Sequence, residues 1–204
     1  MFVCLAAGRG KRMQPLTNYL HKSMIPFYGL PLLAYGILAV PEGSEIVIIV
    51  NYLKEQIEGF FGDTFRGRKI KYFVQSDPKG TGDALFQFGA AYRPAQPVIV
   101  WQADQMIFAE EVEILSHTQP NAGIFSDTSR GLLDLGFWRI EPGTLARLKD
   151  SFDGSEHRAL PVLERVGLKR IKIQREKLEI SFDTWEQIEL HCKRLRQAFH
   201  TASP

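Results

Sequence analysis

Apolar positions along the chain fall into two alternating patterns. Continuous apolar runs rich in β-branched residues occur at 2–7, 45–50 and in the VIVWQ string that ends at Gln102, and Ile70 to Val74 reads as another strand. Short runs of this kind, apolar on both faces, predict strands buried inside a sheet. Stretches with helical spacing lie between them. Leu30 to Val40 predicts a helix, with Pro31 near its start and Pro41 after its end. The segment 53–61 carries apolar residues at 53, 57, 60 and 61, and Thr81 to Tyr92 is again helical in pattern. Strands alternating with helices predict an α/β domain, a mostly parallel sheet with helices on both faces and right-handed crossovers. Beyond residue 120 the pattern loosens. Ala122–Phe125, Leu135–Ile140 and Arg170–Ile173 are candidate strands. Thr144–Lys149, His157–Val166 and Thr184–Phe199 are candidate helices, the last capped by Asp183.

Composition narrows the class without naming it. A chain of 204 residues suits one domain with a sizeable core. A formal charge of only +2, with the two signs interspersed, points neither to nucleic acid nor to a lipid surface. Cys4 and Cys192 lack C-x-x-C spacing and read as thiols of a reducing compartment. The N-terminus enters a strand at once, so no signal peptide is expected, and no apolar run reaches the length of a membrane span. The expectation is a cytoplasmic protein, with its oligomeric state left open. Five histidines show no metal-ligand spacing, and no nucleophile elbow or Ser/His/Asp order appears.

The chemistry concentrates in four strings. In LAAGRGKRMQPLT, Leu5 to Thr17, a strand breaks into Gly8 and Gly10 and then into Arg9, Lys11 and Arg12, with Lys22 ten residues further on. Glycines let backbone N–H groups turn toward a polyphosphate, and the cations offset its charge. Neither the P-loop spacing nor the three-glycine dinucleotide fingerprint is present. In QSDPKGTGDAL, Gln75 leaves a strand, and Gly80 and Gly82 flank Thr81 ahead of a helix. Turn chemistry alone accounts for that string as a strand–turn–helix connection capped by Thr81. Asp104 follows the VIVWQ strand, where open α/β sheets place ligands, and it could equally cap a turn. Near the end, EISFDTWEQIEL offers Asp183 as either a ligand or the N-cap of a helix, with Glu186 completing a capping box.

The first of these strings resembles the opening of the sugar-nucleotide pyrophosphorylases, L-A-A-G-x-G-[ST]-R-[ML]-x-P-L-T followed by x-K-P. Leu5 to Gly8, Gly10, Arg12, Met13, Pro15 to Thr17 and Lys22 match, while Lys11 replaces the small hydroxyl residue and Ser23 the proline. The resemblance implies a Rossmann-like three-layer α/β/α fold of the glycosyltransferase-A-like type, read as one domain with a nucleotide half (1–105) and an acceptor half (106–204). It implies a nucleotidyltransferase that joins a nucleoside triphosphate to a small phosphorylated acceptor, a sugar 1-phosphate, with Mg²⁺ as cofactor. Leu5, Ala6, Ala7, Gly8, Gly10, Gln75, Gly80 and Thr81 are then the nucleotide-binding residues. Arg12 and Lys22 are the catalytic cations, and Asp104 and Asp183 are the metal ligands. Gly136, in LGFWRI, and Glu156 fall where the family has its acceptor site. The span between Asp104 and Gly136 is short for the family and lacks its E-K-P segment. That keeps two other readings open: a phosphocholine cytidylyltransferase-like enzyme, and a non-catalytic nucleotide or sugar-nucleotide sensor.

Overall fold

A computed structural model gives the architecture and describes residues 1–128, 131–151, 157–173, 184, 186 and 189. Asp183, Glu156, Cys192 and most of the expected closing helix therefore lie outside the described residues.

The chain opens with β1 (Phe2–Ala6), whose burial on both faces follows from its unbroken apolar run. Three short 3₁₀ turns carry it to a small antiparallel hairpin, β2 (Pro26–Phe27) with β3 (Leu30–Pro31), and into α1 (Leu32–Ala39). The helix thus starts two residues later than its periodicity suggests, because Leu30 and Pro31 are held in the hairpin. Then follow β4 (Glu45–Val50), α2 (Lys54–Phe61), a two-residue edge strand β5 (Thr64–Phe65), β6 (Arg68–Val74), α3 (Thr81–Tyr92) and β7 (Val98–Gln102). The second half holds α4 (Ala109–His117), β8 (Ala122–Thr128), β9 (Gly131–Ile140), α5 (Pro142–Arg147), α6 (Ala159–Arg165) and β10 (Lys169–Ile173). Nothing in the sequence reading anticipates α4. Phe108 stands where a polar cap is usual, and the Glu111 carboxylate instead accepts from the Phe108 N–H at 3.2 Å.

The sheet has eight strands in the order β10-β8-β9-β7-β1-β4-β6-β5. β1 pairs in parallel with both β4 and β7, and β4 with β6. Two strands are exceptions: β9 runs antiparallel between β7 and β8, and the edge strand β5 runs antiparallel to β6, so the sheet is mixed. Alternate residues of the central strands feed two cores. Cys4, Ile46, Ile48 and Trp101 face α1, α2 and α4 through Leu33, Ile37, Ile57, Phe61, Val112 and Leu115. Val3, Leu5, Val47, Ile49 and Val100 face α3, α5 and α6 through Leu85, Phe88, Leu145, Val162 and Leu163. The result is the expected three-layer α/β/α sandwich. The chain leaves β1 on one side for β4 and β7 lies on the other, so a crevice opens at the carboxyl end of β1.

Candidate nucleotide cleft

That crevice is lined by residues 5–12, His21, Lys22, Ser23, Gln75, residues 77–81, Ala84 and residues 102–104, and encloses about 640 Å³. It gathers eleven of the fourteen residues singled out from sequence: Leu5, Ala6, Ala7, Gly8, Gly10, Arg12, Lys22, Gln75, Gly80, Thr81 and Asp104. Asp183 and Glu156 lie outside the described residues, and Gly136 is not in the lining.

The loop after β1 is held by its own residues. Gly10 adopts φ +59°, and a Cβ there would lie 3.0 Å from Thr17 Cγ2 and 3.1 Å from Lys22 Cβ. Glycine is required both by the left-handed backbone and by the close passage of the Lys22 stem. The Thr17 hydroxyl donates to the Gly10 carbonyl at 3.0 Å, and the Met13 N–H donates to the same carbonyl at 2.9 Å. Tyr52 supports the turn from α2's side, its hydroxyl donating to the Thr17 carbonyl at 2.9 Å while its ring takes the Arg9 guanidinium 5.3 Å from its centroid. Gly8 differs: nothing among the described residues lies within 4 Å of where its Cβ would be.

Across the crevice Lys22 Nζ donates to Asp104 Oδ2 at 2.6 Å, joining residues 82 positions apart. Asp104 Oδ1 is buried and, among the described residues, has no hydrogen-bond partner. A charged oxygen removed from water without a partner is costly, which marks it as a place for a cation or a donor.

His21, beside Lys22, is buried. Its Nδ1 accepts from the Ser23 N–H at 3.2 Å and lies 2.8 Å from the Ser23 hydroxyl. Its Nε2 faces the Ala6 and Gly8 backbone without a well-formed hydrogen bond. Burial pushes its pKa down to about 4, against the Ala6 backbone and the Asp104 carboxylate, which favour the charged form. Asp134 moves the other way. Burial raises it to about 6, although the Gly136 N–H and the Trp138 indole N–H both donate to its Oδ1 at 3.1 Å. Between pH 4 and 6 the two groups oppose each other. Unfolding lets His21 take up a proton, so its contribution to stability falls as pH drops from about 6.5 toward 4. Unfolding lets Asp134 release one, so its contribution falls as pH rises from about 4 toward 6. Each is worth at most about 3 kcal/mol. Asp134→Asn should therefore tilt the stability profile, making the protein lose more stability than the wild type on acidification from pH 6 to 4. Urea melts across that window would show the tilt, and parallel profiles for both proteins would refute it.

The turn after β6 is tied down in two directions. Gln75, almost fully buried, donates through Nε2 to Asp83 Oδ2 at 2.7 Å and more weakly to the Gly80 carbonyl at 3.3 Å. On its far side the turn grips the start of α6: the Gly82 N–H donates to the His157 carbonyl at 2.7 Å, and the Thr81 hydroxyl accepts from the Ala159 N–H at 2.8 Å. Thr81 thus satisfies an orphan donor at the N-terminus of another helix, and does not cap its own. Gly136 is packed against a neighbouring side chain. It sits at φ +64° in a bulge of β9, and a Cβ there would lie 2.7 Å from Gln102 Nε2. It is Gln102, a cleft-lining residue, that makes the close approach.

Residues 1–127 match the family described as nucleotidyl transferase. A UTP–glucose-1-phosphate uridylyltransferase, AglF of Haloferax volcanii, is 40% identical over 85 residues, covering 41% of this chain and 35% of that protein. The bifunctional protein GlmU of Symbiobacterium thermophilum is 30% identical over 158 residues, 75% of this chain and 31% of GlmU. A D-glycero-α-D-manno-heptose 1-phosphate guanylyltransferase of Aneurinibacillus thermoaerophilus is 31% identical over 85 residues, 41% of this chain and 37% of that protein. The matched stretches thus span little more than a third of these relatives at most. The structure of a UDP-glucose pyrophosphorylase with UDP-glucose superposes with a TM-score of 0.79 at 17% identity, over 96% of this chain and 98% of that one, a likeness of fold. The family match extends over more than half of the sequence, and the chain belongs to the nucleotidyl transferase family.

Proposed function

We propose that the chain transfers a nucleotidyl group from a nucleoside triphosphate to a phosphorylated acceptor, a sugar 1-phosphate, and releases pyrophosphate. The observation that carries the reading is the Lys22–Asp104 pair with its unpartnered Oδ1, set at the carboxyl ends of β1 and β7 beside a glycine loop. An oxygen of the acceptor phosphate forms the new bond to the α-phosphorus. The bond from that phosphorus to the bridging oxygen breaks, and pyrophosphate leaves with the electron pair. The acceptor is already ionised at neutral pH, so no general base is required.

Leu5, Ala6, Ala7, Gly8, Gly10, Gln75, Gly80 and Thr81 bind the nucleotide in this reading. Both cations line the cleft; in this reading Lys22 would meet the α- and acceptor phosphates, where negative charge accumulates, and Arg12 the leaving pyrophosphate. Asp104 fits a hard divalent cation, because its Oδ1 is buried and lacks a partner among the described residues. Among the described residues no group of three His, Cys, Asp or Glu side chains could hold a metal ion. One carboxylate or two, completed by phosphate oxygens and water, is the set that Mg²⁺ commonly takes. Asp104, with Asp183 as the proposed second ligand, would hold it, and it would supply charge neutralisation across the phosphates. Residues 106–204 are the acceptor half, with Gly136 acting through Gln102 and Glu156 as a candidate contact. No helix of the described residues is long and apolar enough to cross a membrane, and a free, buried Cys4 suits the reducing cytoplasm.

The test is pyrophosphate release with Mg²⁺, crossing the common nucleoside triphosphates against sugar 1-phosphates and phosphocholine. Release with one pair, abolished by EDTA, is expected. Silence across the panel while a triphosphate still raises the melting temperature would favour a nucleotide-binding protein without turnover.

A further inference from the structure

The turn that carries Lys22 is held from behind the cleft wall. Residues 51–56 link β4 to the first turn of α2, and none of them is among those that line the cleft. Asn51 Nδ2 donates to the Gln75 carbonyl at 2.9 Å. The Tyr52 hydroxyl donates to the Thr17 carbonyl at 2.9 Å, with the Asn18 carbonyl 3.3 Å away. Gln56 makes the most demanding contact. Its Oε1 accepts from the His21 N–H at 2.8 Å and its Nε2 donates to the Tyr19 carbonyl at 2.7 Å, 35 and 37 positions back along the chain. An N–H can only donate and a carbonyl can only accept, so each end of the amide is specified by the backbone group that it faces.

Two features tie this contact to Lys22. Leu53, between Tyr52 and Gln56, has φ +50° and ψ +34°, a left-handed backbone that a residue with a bulky side chain rarely takes. Such a conformation persists where surrounding contacts impose it, and Tyr52 and Gln56 on either side of it both meet residues 17–21. Lys22 is also bracketed along the chain. The His21 N–H is taken by Gln56, and the His21 ring accepts in turn from the Ser23 N–H at 3.2 Å. Lys22 Nζ stands at the end of a four-carbon stem, so a small rotation of this turn would swing the ammonium off Asp104 Oδ2.

We propose that Gln56 is a positioning residue for Lys22: by holding the His21 N–H and the Tyr19 carbonyl at once, it aims the ammonium at the phosphates without touching substrate. This rests on the reading of Lys22 as a catalytic cation. Misplacing a preorganised group by about 1 Å can cost as much as a hundredfold in rate. A half-buried side chain of α2 thus sets kcat from outside the cleft.

The experiment measures kcat and KM, and the triphosphate Kd by titration calorimetry, for Gln56→Met, Tyr52→Phe and Lys54→Met, each in the wild type and in the Lys22→Ala background. Methionine keeps the length of glutamine and removes both hydrogen bonds. Phenylalanine keeps the ring beside Arg9 and removes only the hydroxyl that reaches Thr17. Lys54→Met breaks the α2 pair with Glu58 and leaves the contacts of the turn alone. Gln56→Met should lower kcat about tenfold and Tyr52→Phe about threefold, with KM and Kd within about threefold and Lys54→Met unchanged. In the Lys22→Ala background neither Gln56→Met nor Tyr52→Phe should cost anything further, because the group they aim is gone. A merely structural Gln56 would give the same fractional loss in both backgrounds. That result, an unchanged kcat in Gln56→Met, or a loss confined to KM would overturn the proposal while leaving nucleotidyl transfer standing. Wild-type turnover in Lys22→Ala itself would overturn both the proposal and the reading on which it rests.

Discussion

Lys22→Ala should lower kcat for pyrophosphate release by about a hundredfold or more, roughly 2.7 kcal/mol of barrier. The ammonium is placed by three separate constraints: the stem lies against Gly10, the head is paired with Asp104 at 2.6 Å, and the turn that carries it is fastened by His21 and Ser23. A cation positioned in advance needs no reorganisation as charge develops on the phosphates, which is where its worth lies. Asp104→Ala should cost a similar factor, because it removes both the proposed metal ligand and the partner that aims Lys22. The double variant should be little worse than either single one, since the two residues act as a unit. Single-turnover rates at saturating substrate would check this. Additive losses, or near wild-type turnover in either single variant, would show that the pair is an ordinary ion pair at the edge of the sheet.

The second large effect concerns glycines that look alike in sequence. In Gly80→Ala the new Cβ would fall 2.5 Å from the His157 carbonyl oxygen and 2.9 Å from its carbon. That neighbour is backbone, tied in turn to the Gly82 N–H, so it cannot swing aside. Either the turn or the start of α6 must move. A loss of about 2–3 kcal/mol is expected, with KM for the triphosphate raised about tenfold or more. Gly8→Ala should do the opposite. Its Cβ meets nothing within 4 Å among the described residues, so the melting temperature should hold while KM for the triphosphate rises. Calorimetric melts beside steady-state kinetics separate the cases. Equal effects of the two substitutions on stability would contradict this account of the cleft wall.

Residues 1–105 were legible because their strands are buried on both faces and their helices are punctuated by glycine and proline. Glu45–Val50 and Thr81–Tyr92 form with the limits their patterns suggest. Leu5 to Lys22 was legible for a different reason: a string of that length and order resembles one family's opening. What escaped has physical causes. α4 is preceded by Phe108, with Glu111 reaching back, and so lacks the polar cap that announces a helix. The antiparallel insertion of β9 is set by pairing between strands far apart in sequence. The protein partners of Thr81 and Gly136, Ala159 and Gln102, lie 78 and 34 positions away, beyond what spacing can show. The Asp83–Gln75 contact has no signal in the sequence, since only the folded turn sets the two side chains together. Spacing along the chain shows which residue types are available. It does not show which of their atoms are already taken.

The central claim is that the acceptor phosphate itself attacks the α-phosphorus in one in-line step. The most direct test uses the accepted triphosphate carrying sulfur in place of one α-oxygen, of known configuration at phosphorus, and determines the configuration of the nucleotide-diphospho product. A single displacement between groups held by Lys22, Arg12 and Asp104 predicts inversion. Retention would mean two displacements through a nucleotide bound covalently to the protein, and would contradict the account.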